Sequence, residues 1–154
     1  TKYDEYKYFF GKVTMYATYD YTARNTLLYF LNKYFIDSDK LVTPIEPLDY
    51  DNENPSYEEL FFGLDYPEAY KVLHKALKGR GENIPPLINS YMNLSPTMKV
   101  FGTSINKGFG GVEETGILVK IDDMYFEKIE RHITPLKLFL SSIAYRFRPN
   151  WWKR

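Results

Sequence analysis

Cysteine is absent from this 154-residue chain, which excludes disulfides, thiolate nucleophiles and thiolate-bound zinc and fits a cytoplasmic protein. A net charge is missing as well. Twenty basic residues cancel twenty acidic ones, so no overall field draws in nucleic acid, and no basic stripe interleaved with aromatics stands out before the C-terminal end. No apolar run approaches the roughly 20 residues that a membrane-spanning helix needs, and no signal-peptide pattern opens the chain. Histidine is scarce: His74 and His132 are the only two, too far apart in sequence for an H-E-x-x-H metal site, so no metal is expected. A G-x-S-x-G elbow is also lacking, which leaves a serine hydrolase unsupported.

Aromatic residues are plentiful. Fifteen Tyr, eleven Phe and two Trp make up 18% of the chain, within an apolar fraction of 44%. That is enough for one ordinary core, and the length fits one domain over residues 1–154. Aromatics fill cores and also line grooves for apolar ligands.

Periodicity predicts an α/β order. Tyr6 to Tyr16 alternates as a strand, and Thr22 is expected to cap a helix whose Ala23, Leu27, Phe30, Leu31 and Tyr34 share one apolar face. Lys40 to Ile45 reads as extended, confined to an edge or a linker by Pro44 and Pro47. Ser56 with Glu59, and Asp65 with Glu68, have capping-box spacing. The second pair opens a helix from about Tyr66 to Lys78, stopped by Gly79. Asn83 is expected to cap a further helix that accepts Pro85 and Pro86 in its first turn and is ended by Pro96. Met98–Ile105 and Val112–Ile121 then read as a hairpin around the turn-forming Asn106–Gly111. Tyr125 to Phe147 reads as helical on either side of Pro135.

Within that hairpin stand two adjacent carboxylates. Successive strand side chains point to opposite faces, so Glu113 shares a side with Thr115, Ile117, Val119 and Ile121, and Glu114 shares the other with Gly116, Leu118 and Lys120. They therefore cannot act on one atom as a simple pair. The glycine-rich turn NKGFGG passes into a strand instead of a helix and lacks a GK[ST] ending, so it is a hairpin turn and not a phosphate loop.

The block PPLINSYMNLSPTMKVFGTSINKGFGGVEETGIL, together with YKYFFGKVTMY and ARNTLLYFLNKYF near the start, resembles the C-terminal part of bacterial proteins often labelled hemolysins. These are GNAT-type N-acyltransferases similar to the enzymes that make ornithine and glycine lipids. The resemblance spans most of Tyr6 to Ile133. It implies a partial GNAT-like fold, with a mixed sheet, a C-terminal β-hairpin and flanking helices. It also implies transfer of a fatty acyl group from acyl carrier protein or acyl-CoA to an amino-acid or lysolipid acceptor in membrane lipid synthesis. Enzymes of this type grip the donor's phosphate at a helix N-terminus through a Q/R-x-x-G-x-G/A turn. No such turn is present: in KALKGRG, Ala76 stands where Gln or Arg belongs, and the glycines end a helix. The chain is therefore expected to be the C-terminal half of a longer enzyme, binding donor weakly or not at all by itself.

On this resemblance Glu113 or Glu114 accepts the proton of, or holds, the attacking amine, with Glu113 favoured because its strand face is otherwise apolar. The alternative is two solvated acids at a strand end. Tyr29 and Tyr34 are the candidates for protonating the leaving thiolate; Tyr34 lies on the apolar stripe as a core residue, and position alone selects Tyr29. Lys75, Lys78 and Arg80 are candidates for an acidic acyl carrier or a phosphopantetheine arm, or else simply offset the negative end of a helix dipole. Neither histidine has Asp five positions on, where Gly79 and Lys137 stand, which removes the H-x-x-x-x-D lipid acyltransferases. In the tail, Leu136, Phe139, Leu140, Ile143 and Phe147 form an apolar stripe beside Lys137, Arg146, Arg148, Lys153 and Arg154, with Trp151 and Trp152 at the end. This is the pattern of a segment lying on an anionic membrane surface, or of one packed on a sheet. The rival to an enzyme is a non-catalytic lipid- or protein-binding module that uses the same aromatic groove.

Overall fold

The computed structural model describes residues 7–132. Strand β1 (Tyr8–Met15) leads into helix α1 (Tyr21–Phe35), a long connection, and three helices: α2 (Pro55–Leu60), α3 (Tyr66–Lys78) and α4 (Pro86–Met92). The hairpin of β2 (Lys99–Asn106) and β3 (Val112–Lys120) follows, then a 3-10 turn (Ile121–Asp123) and α5 (Phe126–His132). The expected α/β order and the hairpin are both present.

The sheet order is β1-β3-β2, with β3 antiparallel to each neighbour. A parallel bridge between Ile36 and Val100 adds a contact at the end of α1. The hairpin turn closes through the Asn106 carbonyl, which accepts from the backbone N–H of Phe109 and Gly111 at 3.1 Å each. Gly110 and Gly111 sit at φ 66° and 69° there, a region that costs a residue with a Cβ. In β2 a register shift between Val100 and Thr103 marks a bulge. Gly102 holds φ 95° in it, with Pro44 close enough that a Cβ would lie 3.4 Å from the ring.

Cross-strand partners share a face. Val13 and Met15 lie with Val100, Thr115, Ile117 and Val119 on the buried side, where Leu27, Phe30 and Leu31 of α1 complete the core. Ala69, Leu73 and Leu77 of α3 and Ile88 and Met92 of α4 close it. Tyr70 ties those two helices by donating to Asn89 Oδ1 at 2.6 Å.

Several caps differ from expectation. Asp20, not Thr22, caps α1 and accepts from Ala23 N at 2.8 Å; a carboxylate accepts that bond more strongly than a hydroxyl, and it starts the helix two residues earlier. Asn54, not Ser56, caps α2, with Pro55 in its first turn. Helix α4 begins after Pro85 with no side-chain cap, and the Asn83 carbonyl instead accepts from the Tyr19 hydroxyl at 2.6 Å. The Asp65–Glu68 capping box forms as its spacing predicts.

At the other end of α1, Asp37 joins helix to sheet. Its N–H donates to the Val100 carbonyl at 2.9 Å, Lys99 Nζ donates to Oδ1 at 2.7 Å, and Leu41 N donates to Oδ2 at 2.6 Å. Burial pushes the Asp37 carboxyl up, but the bonds from Lys99, Leu41 and Asp39 outweigh it and hold its pKa below the usual aspartate value. A lowered folded-state pKa contributes stability that is present above the unfolded value and lost as pH falls through the folded one. Asp37→Asn should therefore flatten the acid limb of stability against pH while changing little of its shape above that range. Urea midpoints measured from neutral pH downward test this, and an acid limb unchanged by the substitution would contradict it.

Candidate active site

The first turn of α1 runs past the start of β3. Asp20 fixes where the helix begins, and Arg24, at helical spacing with Leu27, Leu28 and Leu31, faces the sheet. There Arg24 Nη1 donates to Glu113 Oε1, while Arg24 Nε donates to Asn25 Oδ1 at 2.9 Å. Side chains of the pair are 12% and 11% exposed. The Tyr21 ring lies 4.6 Å from the guanidinium carbon, on the solvent side, itself 61% exposed. Met15 and Ile105 flank Glu113 in the strand register.

Two polar atoms in this cluster are buried with no hydrogen-bond partner: Glu113 Oε2 and Asn25 Nδ2. An unsatisfied buried polar group costs about 1–3 kcal/mol, and taking the charge pair out of water costs more. Hydrophobic side chains would fill the same junction at lower cost, so the cluster is a place where stability is given up. Chemically it offers a free carboxylate oxygen and a free amide donor beside a guanidinium, in a low-dielectric setting that strengthens every interaction there.

Glu114 has the opposite environment. It faces the other side of the sheet and receives a bond from Lys12 Nζ at 2.5 Å. That bond, with another from Asn106, holds its carboxyl pKa below the usual glutamate range, which makes it a weak proton acceptor. The separation of the two acids to opposite faces is as their spacing predicts.

Tyr29 stands five residues beyond Arg24, about 140° around the helix, where its ring lies 5.8 Å from Tyr57 and 6.1 Å from Phe61. It is not brought together with Glu113. Tyr34 packs on Phe30 and donates to the Leu64 carbonyl at 3.0 Å, as a core residue would. Lys75, Lys78 and Arg80 occupy the end of α3 and the turn after it, all exposed. Arg80 reaches Asp20 at 3.9 Å, and Glu82 Oε1 accepts from Asp20 N at 3.0 Å. This stretch is thus docked beside the N-terminus of α1, near the Arg24 cluster, with Lys75 and Lys78 facing solvent. Burial, with Glu82 and Asp20 nearby, pushes the Tyr19 hydroxyl at the same junction well above its usual pKa.

A separate groove of about 650 Å³ lies at the start of β1, lined by Phe9, Phe10, Leu87, Tyr91, Leu94 and Met124. Gly11 admits the Tyr91 hydroxyl, which would stand 3.1 Å from a Cβ at that position. From Phe9 to Met15 the strand covers about 20 Å, so this groove and the Arg24–Glu113 cluster lie toward opposite ends of β1. Among the described residues no group of three or more His, Asp or Glu could hold a metal ion, and no helix is long and apolar enough to cross a membrane.

Sequence reasoning reached Glu113 but missed Arg24 and Asn25. The available signal was an arginine on the apolar spacing of an otherwise leucine-lined helix, where a charge without a partner is costly.

Fold and cluster together define an α/β unit with a buried acid–guanidinium pair at a helix–hairpin junction. Over 127 residues, 82% of this chain, the sequence is 52% identical to a glycine N(alpha)-acyltransferase of Phocaeicola vulgatus and covers 39% of that protein. It is 51% identical over the same length to a glycine N(alpha)-acyltransferase of Bacteroides thetaiotaomicron, covering 38% of it. The resemblance to N-acyltransferases therefore holds, and the three-stranded sheet with flanking helices is compatible with part of such a fold. Neither name carries the hemolysin label. The chain spans about two fifths of the length of these relatives. No protein-family model matches the chain, and no solved structure matches it.

Proposed function

We propose that the protein is part of an N-acyltransferase that moves a fatty acyl group from an acyl carrier protein or CoA thioester to the amine of glycine or a similar amino acid, as a step in making a membrane lipid. The observation that carries this reading is the similarity over 127 residues to two proteins named glycine N(alpha)-acyltransferase. Glu113 gives it a residue. Its unpartnered Oε2 holds the acceptor's ammonium and takes a proton from it, because an amine attacks only when neutral. The amine nitrogen then forms a bond to the thioester carbonyl carbon, the carbon–sulfur bond breaks, and the proton that the nitrogen sheds on becoming an amide goes to the departing thiolate. We assign the turn that grips the donor's phosphate to a longer parent protein. The exposed Lys75, Lys78 and Arg80 are the cations that suit an acidic acyl carrier.

Incubating the full-length protein with a long-chain acyl donor and glycine tests the reading. N-acylglycine detected by mass spectrometry is the expected product, and donor binding without any amide product would favour a non-catalytic lipid-binding module. The tail from Leu136 to Arg154 lies outside the described residues. Its cations and tryptophans fit a lipid-producing enzyme that meets an anionic bilayer. The full-length protein is expected to cosediment with anionic vesicles at low salt and to lose them as salt screens the charges; absence of cosedimentation at low salt would end that part of the proposal.

A further inference from the structure

We infer that Arg24 and Asn25 form a subsite for the acceptor's free carboxylate, so that the site is built for a zwitterionic amino acid and not for an amine in general. This rests on the reading of the protein as an amine acyltransferase and goes further in naming what the acceptor must carry besides its amine.

The cluster holds unspent hydrogen-bonding capacity of both kinds in one buried place. Glu113 Oε2 is an acceptor without a donor, and Asn25 Nδ2 is a donor without an acceptor. Arginine has five N–H donors in a fixed fork, and the bonds that Arg24 makes use Nε and Nη1, leaving Nη2 unengaged among the described residues. Glu113 is 8% exposed and Asn25 is fully buried, so water does not relieve the deficit. A simple amine would satisfy Glu113 and leave Asn25 and the guanidinium as they are. A zwitterion satisfies both sides: its ammonium meets Oε2, while one carboxylate oxygen meets the unengaged Nη2 of Arg24 and the other the Asn25 amide, a charge-assisted contact on the first.

The exposed Tyr21 ring lies over the Arg24 guanidinium and is the side chain whose movement would uncover it toward solvent. Acylation then turns the cationic amine into a neutral amide. The attraction to Glu113 is lost while the product's carboxylate remains beside it, and this favours release.

The wild-type full-length protein, given one acyl donor and either glycine or glycinamide, provides the first measurement. Glycine is expected to be preferred by about 100-fold or more in kcat/KM; sites built to bond a polar group reject analogues without it by roughly 10⁴–10⁵, and glycinamide, which keeps a carbonyl oxygen, loses less. Glycinamide is the less basic amine, so the preference cannot come from the supply of neutral nucleophile. Arg24→Lys keeps the charge and loses the fork; whatever it does to the rate shared by both amines through Glu113, it should raise KM for glycine and shrink the glycine-over-glycinamide ratio of kcat/KM about tenfold or more. Equal use of both amines by the wild-type protein would overturn the carboxylate subsite while leaving acyl transfer standing, and so would an Arg24→Lys variant that loses both amines equally while remaining folded. If Arg24→Lys does not fold, the wild-type comparison decides alone. Transfer to neither amine would overturn the acyl-transfer reading and this inference with it.

Discussion

Glu113→Gln is expected to lower acyl transfer by the full-length protein about 10²-fold or more, and Glu114→Gln to lower it by a factor of a few at most. The two side chains differ by one atom type from their replacements and sit one residue apart, so the contrast isolates environment. Glu113 is nine-tenths buried against Arg24 with one oxygen unpartnered. Its loss as a base carries the 10²–10⁴ that general-base catalysis supplies. Glu114 is tied to Lys12 on the other face of the sheet, away from the Arg24 cluster. Removing one member of a buried pair costs about 3–5 kcal/mol when nothing replaces it; glutamine keeps an acceptor for Arg24 and should cost less. Thermal melts run beside the kinetics separate lost chemistry from lost fold. Equal and small effects of both substitutions on transfer would mean that the pair is only structural.

The second large effect is on stability. Phe30→Ala should destabilise the domain by about 3–5 kcal/mol, as large aromatic truncations in close-packed cores do. Phe30 is fully buried, with the rings of Tyr34, Phe61, Tyr66 and Phe35 centred 4.8, 5.6, 6.0 and 6.4 Å away. It links α1 to α2 and α3, so the cavity cannot close by moving one side chain, and the loss is a large part of the roughly 5–15 kcal/mol of a typical domain. Urea unfolding measures it. A cost below about 1 kcal/mol would mean that these aromatics are not one packed core.

The hairpin and the Asp65–Glu68 box were legible because their signals are local: turn residues between two β-rich runs, and two polar residues three positions apart. The caps of α1 and α2 were not, because several polar residues compete at each start, and α4 begins after Pro85 with no side-chain cap at all. Asp20 prevails over Thr22, and Asn54 over Ser56, through contacts that spacing does not rank. The edge of β2 is harder still. Its partners are Asp37 and Leu48, whose N–H groups bond to the Val100 and Thr103 carbonyls; both lie just outside the Lys40–Ile45 stretch that reads as an extended edge or linker, and nothing local says which strand they meet. Glu113 stood out as an acid on an apolar face, yet its meaning depends on Arg24, 89 residues earlier, and no short-range pattern joins them.

The most direct test of the Glu113 site is thiol release. With an acyl thioester donor and the full-length protein, adding glycine is expected to speed the appearance of free thiol many-fold over the donor alone, and the Glu113→Gln protein, folded by its melt, is expected to show little of that acceleration. Thiol release that does not respond to glycine, or that responds equally in the two proteins, would contradict the assignment of Glu113 to amine acyl transfer.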